Sequence, residues 1–194
     1  MMIEPQRPPG RGVALVIALA VLLGGGCPLS TQPEGEIAPA TPSASDPGKT
    51  ENEPVTVRLA DGKTLDEALR QHRGKVVLVD FWALWCLPCI KLFPHTVGLH
   101  ERFADRGLAV ISVSLDDPQQ RSDVEAFLRE QGAHFENFLS RHGTGSRSME
   151  VFDIEGGVPH LKLYGRDGKL KKTFQSASID PDEVDREVEK LLGR

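Results

Sequence analysis

The sequence lacks the features that mark nucleic-acid-binding, metal-binding and repeat proteins. A net charge of -5 over 194 residues gives no reason to expect a nucleic-acid partner. Only three cysteines are present, and a zinc site built on the two that stand close together would need two further ligands. The histidines are scattered without ligand spacing, so we predict neither a metal site nor any other cofactor. Because no internal repeat or oligomerisation signal appears, we expect a monomer.

The start of the chain lacks an apolar run of the length that a membrane-spanning helix needs, but it has the composition of an export signal. Residues 13–23 form an uninterrupted apolar run, and Arg7 and Arg11 precede it. This run is too short for a typical spanning helix and suits the apolar core of a signal peptide. We therefore predict that residues 1–26 are a signal peptide and that the chain is exported to the periplasmic side of the membrane.

Cys27 stands where the predicted signal ends. Three glycines precede it, and small residues before a lone cysteine resemble the processing site of bacterial lipoproteins. The sequence departs from that pattern at Gly24, where leucine is usual. We predict that Cys27 is lipidated and anchors the protein to the membrane; ordinary cleavage and an uncleaved anchor are the alternatives. Residues 27–53 are rich in Pro, Ser, Thr, Gly and Ala, which predicts a disordered tether to a folded domain at 54–194.

Cys86 and Cys89 lie at the predicted junction of a strand and a helix. They follow the apolar residues 76–81, which predict a buried strand, and precede residues 90–106, whose apolar spacing predicts a helix. The N–H groups and the dipole at a helix N-terminus stabilise a thiolate and lower its pKa. This context predicts a redox pair in which Cys86 attacks a disulfide and the more buried Cys89 resolves the mixed disulfide.

Two neighbouring features bear on that interpretation. Pro88 fits the first turn of a helix, where its missing N–H costs nothing. Asp80 interrupts the apolar strand, and a charged residue there is costly unless it has a partner or a function. It is either a polar residue that faces water or a buried acid whose pKa desolvation raises, and we favour the buried acid. A static structural disulfide remains the alternative to a redox pair, although so short a loop gains little chain-entropy stabilisation.

The segment that carries these residues resembles a known family. Residues 79–89, Val-Asp-Phe-Trp-Ala-Leu-Trp-Cys-Leu-Pro-Cys, are similar to the active-site segment of the thioredoxin superfamily. Pro94 matches the proline inside the family's active-site helix, and Val158-Pro159 matches its cis-proline before a strand. The resemblance covers about residues 54–194 and is greatest to the extracytoplasmic TlpA-type and ResA-type thiol-disulfide oxidoreductases.

The resemblance implies roles for single residues. It implies that Asp80 helps to deprotonate Cys89. It also implies that the bond before Pro159 is cis and leaves the backbone of Val158 free to pair with an extended substrate. Trp85 is expected to cover the attacking sulfur at the surface and to contact the substrate.

Three further residues are candidates for tuning the redox pair. Leu87 and Pro88 separate the cysteines, and this dipeptide matches neither the Gly-Pro of thioredoxin nor the pattern of a strong oxidant. His160 follows the proline where the family more often has threonine. A neighbouring imidazolium would stabilise the Cys86 thiolate; the alternative is a histidine that points into the sheet.

The order of predicted elements indicates an α/β fold. The family resemblance makes it a thioredoxin fold, with a central mixed β-sheet flanked by helices and a helix-strand insertion. Thr64 is expected to N-cap the first helix, and Asp180 the last. The predicted strands are residues 55–59, 75–81, 108–115, 135–139, 161–164 and 169–174.

Together these observations predict a membrane-tethered, extracytoplasmic thiol-disulfide oxidoreductase that reduces protein disulfides. Because the exported space has no soluble thioredoxin reductase, the resemblance implies a membrane electron donor as partner. Two alternatives from other classes stay open. One is a copper-handling module that uses the two cysteines and a histidine, and the other is a non-catalytic thioredoxin-like adaptor.

Overall fold

Residues 55–175 and 179–193 are described by a computed structural model. Six strands form a single sheet within them. The strands are β1 (Arg58–Ala60), β2 (Val76–Trp82), β3 (Leu108–Ser114), β4 (Glu136–Ser140), β5 (His160–Tyr164) and β6 (Leu170–Gln175). The α-helices are α1 (Gly62–Gln71), α2 (Leu87–Phe103), α3 (Arg121–Glu130), α4 (Ser146–Val151) and α5 (Pro181–Leu192). Short 3-10 turns follow α2 and precede α3.

The sheet is mixed, with the strand order β1-β4-β3-β2-β5-β6. The first four strands in that order run parallel, whereas β5 pairs antiparallel with both β2 and β6. Every residue of β2 and β3 is buried, which is why these two strands appear in the sequence as apolar runs. The predicted α/β thioredoxin-like fold, with helices beside a mixed sheet, is confirmed.

Apolar clusters lie on both faces of the sheet. One face of β2 and β3 packs against α1 and α4 through Val79, Phe81, Ile111 and Leu65. The other face packs against α2, α3 and α5 through Trp82, Phe93, Leu78 and Val188, among others. Because side chains alternate along a strand, successive residues of β2 enter different clusters. This alternation decides which residues reach the helix that carries the cysteines.

Two local predictions differ from the structure. The cap of α1 is Asp61, not Thr64: an oxygen of the Asp61 side chain accepts the Thr64 N–H at 3.0 Å. Asp61 is the cap because its backbone is extended and it precedes the first turn, whereas Thr64 already lies within the helix. The first strand begins at Arg58, not at Val55, since its pairing with β4 starts there.

The described residues leave several predictions untouched. The signal peptide at 1–26, the tether at 27–53 and the lipidation of Cys27 all lie outside them. Over the two described ranges, none of the helices combines the length and the apolar character needed to cross a bilayer.

Candidate active site

The two cysteines lie at the start of α2. Cys86 is the N-cap residue, and its sulfur accepts the backbone N–H of Cys89 at 3.3 Å. The two sulfurs form a disulfide, and the two Cα atoms are 5.2 Å apart. Cys86 and Cys89 are only 5% and 2% exposed, whereas Leu87 and Pro88 between them are exposed. The pair therefore lies just below the surface, at the positive end of the helix dipole.

Asp80 lies beneath α2 on the sheet face that this helix covers. It alternates along β2 with Val79 and Phe81, which enter the cluster on the opposite face. Only 2% of Asp80 is exposed, and its Oδ2 accepts a hydrogen bond of 2.7 Å from Thr96 Oγ1. Burial raises the pKa of Asp80 to about 7, although the bond from Thr96 acts in the opposite direction. A carboxyl group with this pKa can exchange a proton near neutral pH.

Asp116 holds the loop that leads into Cys86. It follows β3, and its two oxygens accept the backbone N–H of Leu84 at 3.2 and 3.0 Å. The hydroxyl of Ser114 donates to the same carboxylate at 2.7 Å. Burial raises the pKa of Asp116, and the bonds from Leu84 and Ser114 oppose that rise. The end of β3 thereby fixes the backbone two residues before Cys86.

Sequence reasoning missed both Thr96 and Asp116. Asp116 belongs to an Asp-Asp-Pro segment whose composition indicates a turn, and only the pairing of β2 with β3 brings it beneath Leu84. One feature of the sequence could have pointed to Thr96. It is a polar residue seven positions after Cys89, which places both residues on the same face of a helix.

The loop before β5 completes the surroundings of the cysteines. The Val158–Pro159 peptide bond is cis, which confirms the predicted geometry. Pro159 is buried, and half-buried Val158 packs against clusters on both faces of the sheet. A shallow groove of about 320 Å³ runs from Leu87 past Pro159 to Ile179, with Lys91 at its side.

The two tryptophans near the cysteines differ in exposure. Trp82 is fully buried and its ring centroid lies 4.8 Å from that of Phe93. Trp85 is 51% exposed, and Leu87 is 63% exposed. These two large apolar side chains flank Cys86 in the chain and leave an uncovered apolar surface next to the buried sulfurs.

His160 lies in a different setting from the one that a tuning role requires. It pairs with Phe81 across β2 and β5 and meets that ring edge-on, with 5.9 Å between the ring centroids. This places its side chain on the sheet face opposite to α2. Burial, and next the charge of Lys162, lower the pKa of His160, so the ring is neutral at pH 7. The tuning of Cys86 by His160 stays a prediction. The charged imidazolium on which it depends is disfavoured by the burial of this ring.

A family comparison agrees with this arrangement. A model described as the AhpC/TSA family matches residues 53–173, which is more than half of the chain. The chain belongs to the AhpC/TSA family. The matched range of this AhpC/TSA member includes all of the site residues described above except Ile179.

Individual relatives give a finer comparison. The chain is 24% identical over 133 residues to the thiol-disulfide oxidoreductase ResA of Geobacillus kaustophilus, covering 69% of this chain and 72% of that protein. ResA of Bacillus subtilis is 27% identical over 112 residues, or 58% of each protein. The solved thioredoxin domain of a thiol-disulfide oxidoreductase from Bacteroides vulgatus is 26% identical with a TM-score of 0.54, covering 64% of this chain and 84% of that one.

These relatives confirm the predicted kinship with ResA-type proteins, and they support thiol-disulfide oxidoreductase chemistry for this AhpC/TSA member. They do not favour the copper-handling module or the non-catalytic adaptor. Within residues 55–175 and 179–193, no group of three or more His, Cys, Asp and Glu side chains is arranged to hold a metal ion.

Proposed function

We propose that the protein is an extracytoplasmic, membrane-tethered reductase of protein disulfides. The observation that carries the proposal is the pair Cys86 and Cys89, joined across the first turn of α2 and accompanied by the buried acid Asp80. A helix N-terminus favours a thiolate at Cys86, and an acid with a pKa of about 7 suits the removal of a proton from Cys89.

The reaction begins with the reduced pair. The Cys86 thiolate attacks one sulfur of the substrate disulfide, so that a Cys86–substrate bond forms, the substrate bond breaks and one substrate thiolate leaves. Cys89 then gives its proton to the Asp80 carboxylate and attacks the Cys86 sulfur. The Cys86–Cys89 disulfide forms, and the second substrate thiolate leaves and takes up a proton. Two electrons pass from the pair to the substrate.

A dithiol donor must then reduce the pair again. We assign this step to a membrane electron donor, because the predicted signal peptide and the lipidated Cys27 would hold the domain at the outer side of the membrane. ResA-type relatives support an oxidoreductase; the reductase direction and the membrane anchor are our proposals.

The substrate would bind as an extended segment beside Cys86. In this proposal the backbone of Val158 pairs with the substrate, Pro159 lies against the reacting sulfur, and exposed Trp85 packs on apolar substrate side chains. Leu87 and Pro88 are exposed between the cysteines and would influence the potential of the pair by changing the surroundings of both sulfurs.

The full chain and three matched cysteine variants test this function. Insulin serves as the disulfide substrate and dithiothreitol as the electron donor. We expect Cys86→Ser to reduce insulin no faster than dithiothreitol alone. We expect reduced Cys89→Ser, mixed with insulin after dithiothreitol has been removed, to accumulate a mixed disulfide that non-reducing gels detect. Cys27→Ser should reduce insulin at the parent rate but leave the membrane fraction.

The outcomes separate the parts of the proposal. If Cys86→Ser reduces insulin as fast as the parent chain, the redox function is wrong. If the Cys27→Ser chain stays with the membrane fraction, the anchor is wrong and the redox function is unaffected.

A further inference from the structure

We propose that Thr96 is a positioning residue of the resolving step, whose hydroxyl holds Asp80 ready to accept the proton of Cys89. The inference rests on the proposed function, in which Asp80 is the base of that step. It goes further because it assigns part of the chemistry to a helix residue whose hydroxyl is bonded to the acid.

The geometry of the contact is the first argument. Thr96 Oγ1 donates to Asp80 Oδ2 at 2.7 Å, and both residues are almost fully buried. A threonine within a helix commonly returns its hydroxyl to the carbonyl four residues earlier. Here the hydroxyl instead reaches down to the sheet, from the same face of α2 that carries Cys89. Thr96 therefore connects the helix of the redox pair directly to the buried acid.

Among the residues that the structure describes, Thr96 is the one side chain that donates a hydrogen bond to Asp80. Across the sheet, Asp80 faces Ser112 of β3 and Leu161 of β5, and the Ser112 hydroxyl donates to Asn137 at 2.7 Å. The titratable or charged groups around it that are not exposed are Cys86 at the N-cap of α2, Cys89, His95 and His100 on α2, Asp116 after β3, Glu125 on α3, Glu183, Asp185 and Glu187 on α5, and His160, Lys162 and Tyr164 on β5. The three β5 groups lie on the opposite face of the sheet, and His95 pairs with Asp185 at 3.1 Å.

The hydroxyl acts on the acid in a definite direction. A hydrogen bond donated to a carboxylate favours the charged form, so Thr96 opposes the effect of burial on the pKa of Asp80. A hydroxyl group can also rotate and accept a hydrogen bond from the protonated acid. Thr96 can thus stay bonded to Asp80 before and after the proton of Cys89 arrives.

The resolving step can be followed with dithiobis(nitrobenzoate) on the full, reduced chain that carries Cys27→Ser, so that Cys86 and Cys89 are its only thiols. The attack of Cys86 releases one coloured thiolate, and the attack of Cys89 on the mixed disulfide releases a second. We expect Thr96→Val to leave the first phase unchanged. The pH midpoint of the second phase should rise by about one unit, so that its rate at pH 7 falls about fivefold. Thr96→Ser, which keeps the hydroxyl, should restore the parent midpoint.

Two further variants keep the test decisive. Thr96→Ala replaces Thr96→Val if the latter fails to give a cooperative thermal transition, and the same upward shift is expected. In Asp80→Asn the second phase should be slow, and adding Thr96→Val should change it no further. An unchanged midpoint in both Thr96→Val and Thr96→Ala would overturn the role of Thr96. If Asp80→Asn leaves the second phase at the parent rate, the base assigned in the proposed function is wrong, which is a different failure.

Discussion

The carboxyl group of Asp80 lies on the α2 face of the sheet with one hydrogen bond donor, Thr96, and a pKa of about 7. In the unfolded chain its pKa returns to the ordinary value near 3.8. A folded-state pKa above the unfolded one means that the acid favours folding only while it is protonated. This contribution is fully present below about pH 4 and is lost as the pH rises through 7.

The stability of the Asp80→Asn variant tests this linkage. Because the pKa difference is about three units, the parent chain should lose up to about 4 kcal/mol of unfolding free energy between pH 4 and pH 8 that the variant keeps. Urea unfolding of the disulfide-bonded forms at these two pH values measures the difference. Other groups titrate equally in both chains, so parallel pH profiles would show that Asp80 is not buried as an acid.

Among single residues, the sequence predicts those whose role follows from their immediate neighbours in the chain. Cys86 and Cys89 are recognisable because a strand precedes them and a helix follows. Asp80 is recognisable because it interrupts an apolar run. Thr96 and Asp116 become functional only through partners 16 and 32 residues away. No pattern of neighbouring residues in the sequence reveals contacts over such separations. A single threonine in a helix and an Asp-Asp-Pro turn are also common in proteins without any functional role.

The element that presents the redox pair is α2 together with the loop before it. Asp116 fixes the conformation of this loop, because its carboxylate accepts hydrogen bonds from the N–H of Leu84 and from the hydroxyl of Ser114. Removing the acceptor would leave the half-buried N–H of Leu84 and the buried hydroxyl of Ser114 without this partner. The energetic cost of an unsatisfied buried donor, about 1 to 3 kcal/mol each, makes this loop sensitive to a single substitution.

We therefore expect Asp116→Ala to lower the unfolding free energy by about 2 to 4 kcal/mol and to slow the attack of Cys86. Asp116→Asn, which keeps one acceptor oxygen, should lose less of both. Denaturant unfolding and the first thiolate release in the dithiobis(nitrobenzoate) reaction measure the two effects. Asp105, an exposed acid in the turn after α2, supplies the control variant Asp105→Ala. Equal losses in the two alanine variants would contradict a specific role for Asp116.

Element existence was predictable, and element ends were less so. The long central strands β2 and β3 were expected within one residue of their observed ends, because their burial on both faces leaves a clear apolar run. The cap of α1 was misplaced because Asp61 and Thr64 are both good capping residues. The backbone conformation, which the sequence does not display, decides between them.

The whole domain rests on one sheet with apolar clusters on both faces. This architecture followed from the alternation of strand and helix patterns and from the family resemblance. The position of β4 between β1 and β3 is different, since it depends on pairing with two strands that are distant in the sequence. Its five residues carry no alternation that would identify its neighbours.

The direction of electron flow is a property of the whole molecule. For a reductase, folding must favour the bonded pair, whereas a strong oxidant is one whose reduced form is stabilised. We expect the disulfide-bonded chain to melt at least about 3 °C above the reduced chain at pH 7. Thermal unfolding of both forms, with the potential measured against glutathione, checks this expectation. A higher melting temperature for the reduced chain would make the protein an oxidase.

The burial of the two sulfurs limits which disulfides can react. Cys86 and Cys89 are almost covered, while their neighbours Trp85 and Leu87 are exposed, so a substrate disulfide has to approach the surface of the domain closely. A disulfide in a rigid, folded protein cannot move to make that approach, whereas a disulfide in a flexible, unfolded chain can. If the pair reduces disulfides as proposed, we expect it to act faster on a disulfide in an unfolded chain than on the same disulfide in a folded protein.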